Sequence, residues 1–484
     1  MPLSSNAKQL IRTTCFINGA WIVAKSGDTI TVRDPATHVA IADVPSLSDA
    51  EIEQTIEAAT AAGKGWRAKS SHERGQLLRA WFDLVMANQT ALAEIMTLEQ
   101  GKPLAEAKGE IAYAASFIEW YAEEAKRNYG ETIPGPNANT RIVVTREPVG
   151  VCAAITPWNF PAAMITRKVA PALAAGCTMI VKPASDTPLT ALALADLAAE
   201  AGIPAGVFNV VTGSAKSIGH VLTASPNVRK ISFTGSTPVG ALLMAQSAAT
   251  VKRVSLELGG NAPFIVFDDA DIDAAAQGVI DSKFRNAGQT CVCANRIYVQ
   301  RSVYSKFVTA LKTKVAALKV GNGFDQGVTI GPLINFAAVE KVQEHIADAL
   351  QQGGKLILGG KPHVLGGNWF EPTIIGKVPQ TALCAKEETF GPFAPLFIFD
   401  TDEEAIEWAN DTEFGLAAYF YARDIHRIQR VAEALESGIV GINTGLISNA
   451  SAPFGGVKQS GIGREGGRHG LDEYTELKYM CFGV

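Results

Sequence analysis

Short apolar runs alternate with segments of helical apolar spacing between Val149 and about residue 258. The runs predict strands at 149–155, 177–181, 207–211, 230–233 and 253–258. The spaced segments predict helices at 161–175, 188–201, 214–223 and 237–248. Nearly continuous apolar strands separated by helices are typical of parallel sheets covered on both faces. This region therefore predicts a doubly wound parallel-sheet α/β domain.

A second α/β pattern follows Asn261 and predicts another domain. Its strands are expected at 262–267, 294–300 and 395–400, and its helices at 270–286, 303–318, 335–352, 402–410 and 423–436.

The chain before Val149 is mainly helical by the same criterion, with helices expected after Ser48, over 73–99 and over 104–128. The third helix carries aromatic residues at helical spacing, which we interpret as core: Tyr113, Phe117, Trp120 and Tyr121. Segments 130–148 and 471–484 instead predict exposed strands. A strand that leaves the core can pair with another subunit, so these segments predict a small β arm.

Composition narrows the class of protein. The 484 residues carry a net charge of -5, which gives no electrostatic footprint for nucleic acid. No apolar run reaches the about 18 residues that a membrane span needs, and no secretory signal is visible at the N-terminus. Seven scattered cysteines predict a reducing compartment, hence a cytoplasmic protein. The seven histidines show no paired ligand spacing, so no metal is expected.

Cys291 is the candidate nucleophile, because it follows a Gly-Gln-Thr turn that leaves the sulfur uncrowded. A reactive thiol needs a lowered pKa, and Arg285 and Arg296 flank it. The equally weighted alternative is a small buried hydrophobe.

Glu257 ends an apolar strand before Gly259 and Gly260, which would let the backbone approach a ligand. A buried carboxylate there would have a raised pKa and could act as a general base. The alternative is an ion pair with Lys252.

Further strand ends carry polar groups. Asn159 offers a side-chain amide for an oxyanion, although an asparagine in such a loop is usually a turn residue. Lys182 is a candidate for ribose or phosphate contact, or a surface lysine. The turn at 233–240 precedes a helix whose free amides could hold a phosphate, but its spacing departs from the dinucleotide fingerprint.

Taken together, the motifs resemble the aldehyde dehydrogenase family over nearly the whole chain. They are 156–161 (Thr-Pro-Trp-Asn-Phe-Pro), 181–185 (Val-Lys-Pro-Ala-Ser), 233–236 (Phe-Thr-Gly-Ser), 256–263 (Leu-Glu-Leu-Gly-Gly-Asn-Ala-Pro), 288–291 (Gly-Gln-Thr-Cys), 388–392 (Glu-Thr-Phe-Gly-Pro) and 453–461 (Pro-Phe-Gly-Gly-Val-Lys-Gln-Ser-Gly). Within the family, residues 284–293, 445–448 and 472–479 resemble the NADP-linked succinate-semialdehyde dehydrogenases.

The resemblance implies a mechanism. Cys291 attacks the aldehyde to form a thiohemiacetal, whose oxyanion is held by the Asn159 side chain and the Cys291 backbone amide. Hydride transfer to the nicotinamide gives a thioester, and Glu257 activates the water that hydrolyses it.

The resemblance also implies the cofactor contacts. NADP is expected to be preferred and NAD possible, because Ser185 replaces a carboxylate that would repel a 2'-phosphate. The implied cofactor-binding residues are Trp158, Asn159, Lys182, Pro183, Ala184, Ser185, Gly235, Ser236, Leu258, Glu388 and Phe390.

For the substrate, the resemblance implies that Arg167, Arg285 and Ser448 hold the remote carboxylate of succinate semialdehyde. Thr444 stands where relatives often carry glutamate, so glutarate semialdehyde and a broader aldehyde range stay open.

The implied organisation has three parts: a cofactor domain at 1–129 and 149–257, a catalytic domain at 258–470, and an oligomerisation arm at 130–148 and 471–484. The resemblance implies a homo-oligomer, a dimer or a tetramer. Cys293 raises the hypothesis of a regulatory disulfide with Cys291, which requires a bent loop because alternate residues of a strand point to opposite faces.

Two other classes fit less well. A cofactor-free cysteine hydrolase needs a histidine near the thiol, and only His469 lies near any of the motifs. A non-catalytic relative would be expected to lack Cys291, Glu257 or Asn159, and all three are present.

Overall fold

The computed structural model describes residues 3–483, and its N-terminal part is mainly helical. The elements are α1 Ser5–Leu10, β1 Cys15–Ile17, β2 Ala20–Ile22, β3 Thr29–Arg33, β4 Ala40–Pro45, α2 Asp49–Ala68, α3 Ser71–Ala87, α4 Gln89–Gln100 and α5 Leu104–Glu124. The single helix predicted at 73–99 is wrong, since α3 ends before Asn88. The Asn88 side chain donates to the Leu84 carbonyl at 2.9 Å and so competes with the helix backbone.

The region from Val151 to Glu257 alternates strands and helices as predicted. Its elements are β7 Val151–Ile155, α6 Ala163–Ala175, β8 Thr178–Lys182, α7 Leu189–Glu200, β9 Phe208–Val210, α8 Ala215–Ala224, β10 Val228–Thr234, α9 Thr237–Ser247 and β11 Arg253–Glu257, preceded by the hairpin β5 Glu131–Pro134 and β6 Thr140–Pro148.

Five of these strands form the parallel centre of the first sheet, in the order β9-β8-β7-β10-β11. One hydrophobic cluster, built largely from α3 to α7, packs on one side, and a second cluster with α2 and α8 packs on the other. The doubly wound α/β fold is thus confirmed. The two edges of the sheet are not parallel, unlike the sheet that was predicted. Strand β1 pairs antiparallel with β9 at one edge, and a strand from near the C-terminus pairs antiparallel with β11 at the other.

The parallel register brings the candidate strand ends together. Ile155 pairs with Lys182 on one side and with Phe233 on the other, and Thr234 pairs with Glu257. Ligands of open α/β sheets bind at the carboxyl ends of the strands. This edge of the sheet therefore faces the candidate site.

The remaining elements build the second sheet and close the first. They are β12 Ala262–Val266, α10 Ile272–Val279, β13 Ala294–Gln300, α11 Tyr304–Ala316, α12 Phe336–Gln351, β14 Lys355–Leu358, β15 Thr373–Gly376, α13 Leu383–Lys386, β16 Phe393–Phe399, α14 Asp402–Asn410, β17 Phe414–Gly415, β18 Ala417–Tyr421, α15 Ile425–Ala434, β19 Ile439–Ile442, β20 Val457–Lys458, β21 Gly461–Ile462, α16 His469–Asp472 and β22 Thr475–Gly483.

The second sheet has seven strands in the order β14-β15-β16-β13-β12-β18-β19, all parallel except β14. Strands β14, β15, β18 and β19 were not predicted, because runs of four or five residues carry little periodicity. The helix predicted at 270–286 is too long: α10 ends at Val279, and a π-helical turn covers Ile280–Phe284.

Segments 130–148 and 471–484 come together in one antiparallel sheet, β22-β6-β5. Strand β22 pairs with β6 from Thr475 opposite Pro148 to Gly483 opposite Thr140. Residues 1, 2 and 484, which the expected boundaries include, lie outside the described residues. Within 3–483 no helix is long and apolar enough to cross a membrane.

Strand β22 exposes Leu477, Tyr479 and Phe482, which are 69%, 62% and 49% accessible in the isolated chain. We expect Leu477→Glu with Tyr479→Glu to lower the oligomeric mass, because two charges would be buried unpaired at a subunit contact. Light scattering after size exclusion measures the mass, with exposed Val364→Glu as the control. An unchanged mass in the double variant would contradict the arm prediction.

Candidate active site

The candidate nucleophile lies in a tight turn. The Cys293 amide donates to the Thr290 carbonyl at 3.0 Å, so Cys291 and Val292 are the central residues. Cys291 is partly exposed, whereas Cys293 is buried. A Cβ added at Gly260 would lie 2.7 Å from the Cys291 carbonyl oxygen. Gly260 therefore allows the close approach of the nucleophile loop, and the approach of a ligand to Gly259 and Gly260 stays a prediction.

The surroundings of Cys291 differ from the expectation. Burial raises the pKa of its thiol to about 12, and nearby Arg167 lowers it only in part. Arg296 does not face the thiol; it donates to the carbonyls of Asn261, Trp408 and Ala409, each at 2.8 Å. Burial therefore disfavours the thiolate, so that a base would help the thiol to ionise.

Glu257 has the properties expected of that base. It lies at the end of β11 and is 2% exposed, and neither carboxylate oxygen has a hydrogen-bond partner. Burial raises its pKa well above the usual value, Glu465 adds to the effect, and Arg167 opposes it. The alternative pairing with Lys252 is wrong, since that ammonium donates to the Ser225 carbonyl at 2.9 Å.

Asn159 is fixed against the nucleophile loop. Its side-chain amide donates to the Gln289 carbonyl at 3.0 Å, two residues before Cys291. Its backbone carbonyl accepts from the Lys102 ammonium at 2.7 Å and from the Asn286 side chain at 3.0 Å. The oxyanion role stays a prediction; Asn159 and Cys291 line the same cavity.

A cavity of about 260 Å³ opens on one side of Cys291 and gathers most of the predicted cofactor residues. It is lined by Pro157, Trp158, Asn159, Thr234, Gly235, Ser236, Leu258, Gly259, Cys291, Glu388 and Phe390.

Two groups in this cavity are prepared for a ligand. Glu388 has a covered carboxylate oxygen without a hydrogen-bond partner, and burial raises its pKa to about 8. The rings of Trp158 and Phe390 meet edge to face at 5.6 Å. A carboxylate oxygen without a partner suits the hydroxyls of a ribose, and an aromatic wall suits the flat ring of a nicotinamide.

Lys182, Pro183, Ala184 and Ser185 lie outside this cavity, at the end of neighbouring strand β8. Burial lowers the pKa of Lys182 to about 8, and Asp186 opposes the shift. Asp186 was not considered in the cofactor prediction. Its carboxylate follows Ser185 directly and partly compensates the Lys182 charge.

A second cavity, of about 300 Å³, is lined by Lys102, Glu106, Gly109, Glu110, Tyr113, Phe160, Arg285, Leu446 and Ser448. Arg285 and Ser448 thus come together as predicted, with the Arg285 guanidinium 4.8 Å above the Phe160 ring. Tyr113 packs against the core as predicted and also lines this cavity, and its hydroxyl has no hydrogen-bond partner.

Arg167 is not among the residues that line this cavity. Its guanidinium is ion-paired with Glu465 and lies 4.3 Å above the Phe454 ring. Its Nη2 has no hydrogen-bond partner and lies 3.9 Å from the Glu257 carboxylate. A substrate contact of Arg167 stays a prediction, and Nη2 is the atom left free to make it.

Both cysteines of the disulfide hypothesis are free, and the Cys293 thiol points to the Lys283 carbonyl at 3.4 Å. The loop is bent, which is the condition that the hypothesis set. The disulfide itself stays a prediction.

Sequence reasoning missed three charged residues that hold the site. Lys102 and Glu110 form a buried ion pair, and Glu110 also accepts the Ala162 amide at 3.0 Å at the start of α6. Glu106 accepts the Asn286 amide at 2.9 Å. Glu106 and Glu110 are four residues apart and so share one face of α5 with Tyr113, and charges on that face were the available signal.

The comparisons with known proteins identify the class of enzyme to which this fold and these side chains belong. The model of the aldehyde dehydrogenase family matches residues 21–480. The chain belongs to the aldehyde dehydrogenase family.

Two curated relatives are 62% identical to this chain. They are a glutarate-semialdehyde dehydrogenase of Pseudomonas aeruginosa, with 98% of each chain covered, and a succinate-semialdehyde dehydrogenase [NADP(+)] of Escherichia coli, with 99% of each covered. The solved structure of a succinate-semialdehyde dehydrogenase from Burkholderia pseudomallei superposes with a TM-score of 0.98 at 62% identity, covering 100% of both chains.

The Lys102–Glu110 pair supports a stability prediction. We expect Lys102→Met to lower the free energy of unfolding by about 3–5 kcal/mol, because it leaves Glu110 buried without its cation. Urea denaturation measures the change. The control is Lys126→Met, whose pair with Glu123 is 44% and 48% exposed and should matter by less than about 1 kcal/mol. Equal losses in the two variants would contradict the assignment.

Proposed function

We propose that the protein oxidises succinate semialdehyde to succinate with NADP. One observation carries the substrate class: Arg285 lines the second cavity with Ser448 and forms no salt bridge within 4 Å among the described residues. A guanidinium beside a hydroxyl and an aromatic wall suits the carboxylate end of a short aldehyde. The first cavity, of about 260 Å³, is lined by Cys291 and the predicted nicotinamide contacts.

In the proposed reaction, the aldehyde carbon of the substrate reaches Cys291 while the carboxylate at the other end of the substrate points toward Arg285. Glu257 takes the thiol proton, which burial otherwise retains on sulfur, and the C–S bond forms. The Asn159 side-chain amide and the Cys291 backbone amide stabilise the oxyanion. The nicotinamide supplies the hydride acceptor when NADP is bound.

Hydrolysis of the resulting thioester uses the same carboxylate. Glu257 first returns the thiol proton to solvent and then takes a proton from water as the water attacks, and the thiolate leaves with the C–S electrons when the tetrahedral intermediate collapses. The raised pKa of Glu257 supports this role, because a carboxylate that burial makes more basic accepts a proton more readily near neutral pH.

For the cofactor, Glu388 and Trp158 would hold the nicotinamide half, Gly235 and Ser236 the pyrophosphate, and Lys182 with Ser185 the adenosine half. Ser236 supports this assignment as the N-cap of α9, whose first amides are free to bind a phosphate. Lys182 favours the 2'-phosphate of NADP, whereas Asp186 lowers that advantage and leaves NAD usable.

Glutarate semialdehyde is the second candidate. The second cavity, which Arg285 and Ser448 line and which would hold the carboxylate of the substrate, is the acid cavity. Thr444 does not line it, but the Thr444 hydroxyl accepts the Leu446 amide at 3.2 Å, and Leu446 forms part of the cavity wall. The loop that carries Thr444, where relatives often have glutamate, thus borders the cavity that would hold the acid end of the substrate. The relative named for glutarate semialdehyde and the relative named for succinate semialdehyde are equally similar to this chain.

The division into a cofactor domain, a catalytic domain and an oligomerisation arm stays our proposal. The two sheets and the arm support it, with one qualification: β21 lies within 258–470 but belongs to the first sheet.

The acid cavity predicts a selective mutant. Arg285→Ala should lower kcat/KM for succinate and glutarate semialdehydes by about 10–100-fold, because a charge-assisted hydrogen bond is lost, and leave butanal unchanged. Steady-state NADPH formation measures this.

Exposed Arg301→Ala, which removes a surface pair with Asp400, is the matched control. The proposed substrate class fails if wild-type protein turns over butanal as well as the semialdehydes, or if Arg285→Ala impairs all three equally.

Lys182 predicts a pH-dependent cofactor affinity. Below pH 8 the ammonium is charged and can bind a 2'-phosphate, whereas at pH 9 about nine-tenths of it is neutral. The Kd for NADPH, measured by fluorescence titration, should therefore rise up to about tenfold between pH 7 and pH 9.

NADH should show little change over the same range, and Lys182→Arg should abolish the dependence because its guanidinium stays charged. An equal rise for both cofactors would exclude Lys182 as the 2'-phosphate contact.

A further inference from the structure

A strained turn joins the acid cavity to the nucleophile. Asn286 and Ala287 have φ of 51° and 54°, and Gly288 has φ of 78°. Left-handed backbone costs roughly 1–2 kcal/mol for each non-glycine residue, so such a turn persists only where its surroundings hold it. Arg285 lies directly before the turn and Cys291 three residues after it.

The contacts that hold the turn come from both domains. Within the loop, the Gln289 side chain donates to the Asn286 carbonyl at 3.1 Å. Outside it, the Asn286 side chain donates to the Asn159 carbonyl at 3.0 Å. The first left-handed amide, that of Asn286, donates to Glu106 Oε2 at 2.9 Å. Glu106 is the only charged side chain among these partners.

Glu106 also lines the acid cavity with Arg285 and Ser448. The other carboxylate in that wall, Glu110, is already ion-paired with Lys102. Glu106 lacks such a salt bridge among the described residues, and its charge faces the space that an acid substrate would enter.

We propose that Glu106 is a positioning residue with two effects. Its carboxylate oxygen holds the left-handed turn at Asn286 and thereby fixes Cys291 for attack on any aldehyde. Its negative charge opposes the acid end of the substrate and competes for Arg285, which moderates affinity for the semialdehyde. The first effect needs only the family chemistry, and the second rests on the proposed function.

Two variants separate the effects. Glu106→Gln keeps an oxygen of the same reach but removes the charge, whereas Glu106→Asp keeps the charge but withdraws the oxygen by one methylene. With butanal, Glu106→Asp should lose up to about 100-fold in kcat, since small misplacements of reacting groups cost that much. Glu106→Gln should stay within about threefold of wild type. With succinate semialdehyde, Glu106→Gln should also show a lower KM.

A strain test adds a readout that a general loss of stability would not give. Ala287→Gly removes the cost of the left-handed conformation, so it should restore much of the butanal activity of Glu106→Asp while changing wild type little. The control is Glu119→Ala. Glu119 lies on α5 like Glu106, and its substitution removes only a partly exposed salt bridge to Arg79 on α3, so it should have no effect.

The positioning role is overturned if Glu106→Gln loses as much butanal activity as Glu106→Asp, or if Glu106→Asp matches wild type. An unchanged semialdehyde KM in Glu106→Gln overturns the charge effect. If wild type shows no preference for semialdehydes over butanal, the proposed substrate class fails, and the butanal comparison still decides the positioning role.

Discussion

The buried contact of Lys102 with Glu110 and the Asn159 carbonyl is the interaction on which the site geometry depends. It ties the start of α5 to the loop after β7, and Glu110 extends the tie to the first amides of α6. Taking both charges out of water is costly, and this cost is offset only when the two groups pair closely and their remaining hydrogen-bonding atoms have partners. Because the Asn159 side chain in turn donates to the Gln289 carbonyl in the loop of Cys291, one ion pair is linked to the loop that carries the candidate nucleophile.

The two cavities of the site favour different kinds of group. Around Cys291, burial disfavours every charged form, which raises the pKa of the thiol, of Glu257 and of Glu388. In the acid cavity, an arginine without an ion pair keeps a positive potential available for a ligand. Cys291 thus lines the cavity whose walls suit neutral groups, and Arg285, six residues earlier in the chain, lines the cavity whose walls suit an anion.

The sequence predicted the parallel centre of the first sheet closely, because long apolar runs between helices determine such strands locally. It also predicted that Glu257 ends a strand, that Asn159 lies in a loop after a strand, and that Cys291 lies at a turn. It failed where a contact between distant segments decides the outcome: Arg296 binds carbonyls rather than facing the thiol, and Tyr113 lines a cavity in addition to packing against the core. The roles of Lys102 and Glu106 depend on partners 57 and 180 residues away, which helical spacing cannot reveal.

The short strand β21 has a consequence for synthesis on the ribosome. It pairs with the end of β11, placing Gly461 opposite Glu257, and the Ser460 hydroxyl donates to the Gly259 carbonyl across 201 residues of chain. Chains grow at about 5–20 residues per second, so the edge beside Glu257 stays open for tens of seconds after that residue emerges. A nascent chain thus carries all three catalytic candidates well before it can hold the base in place.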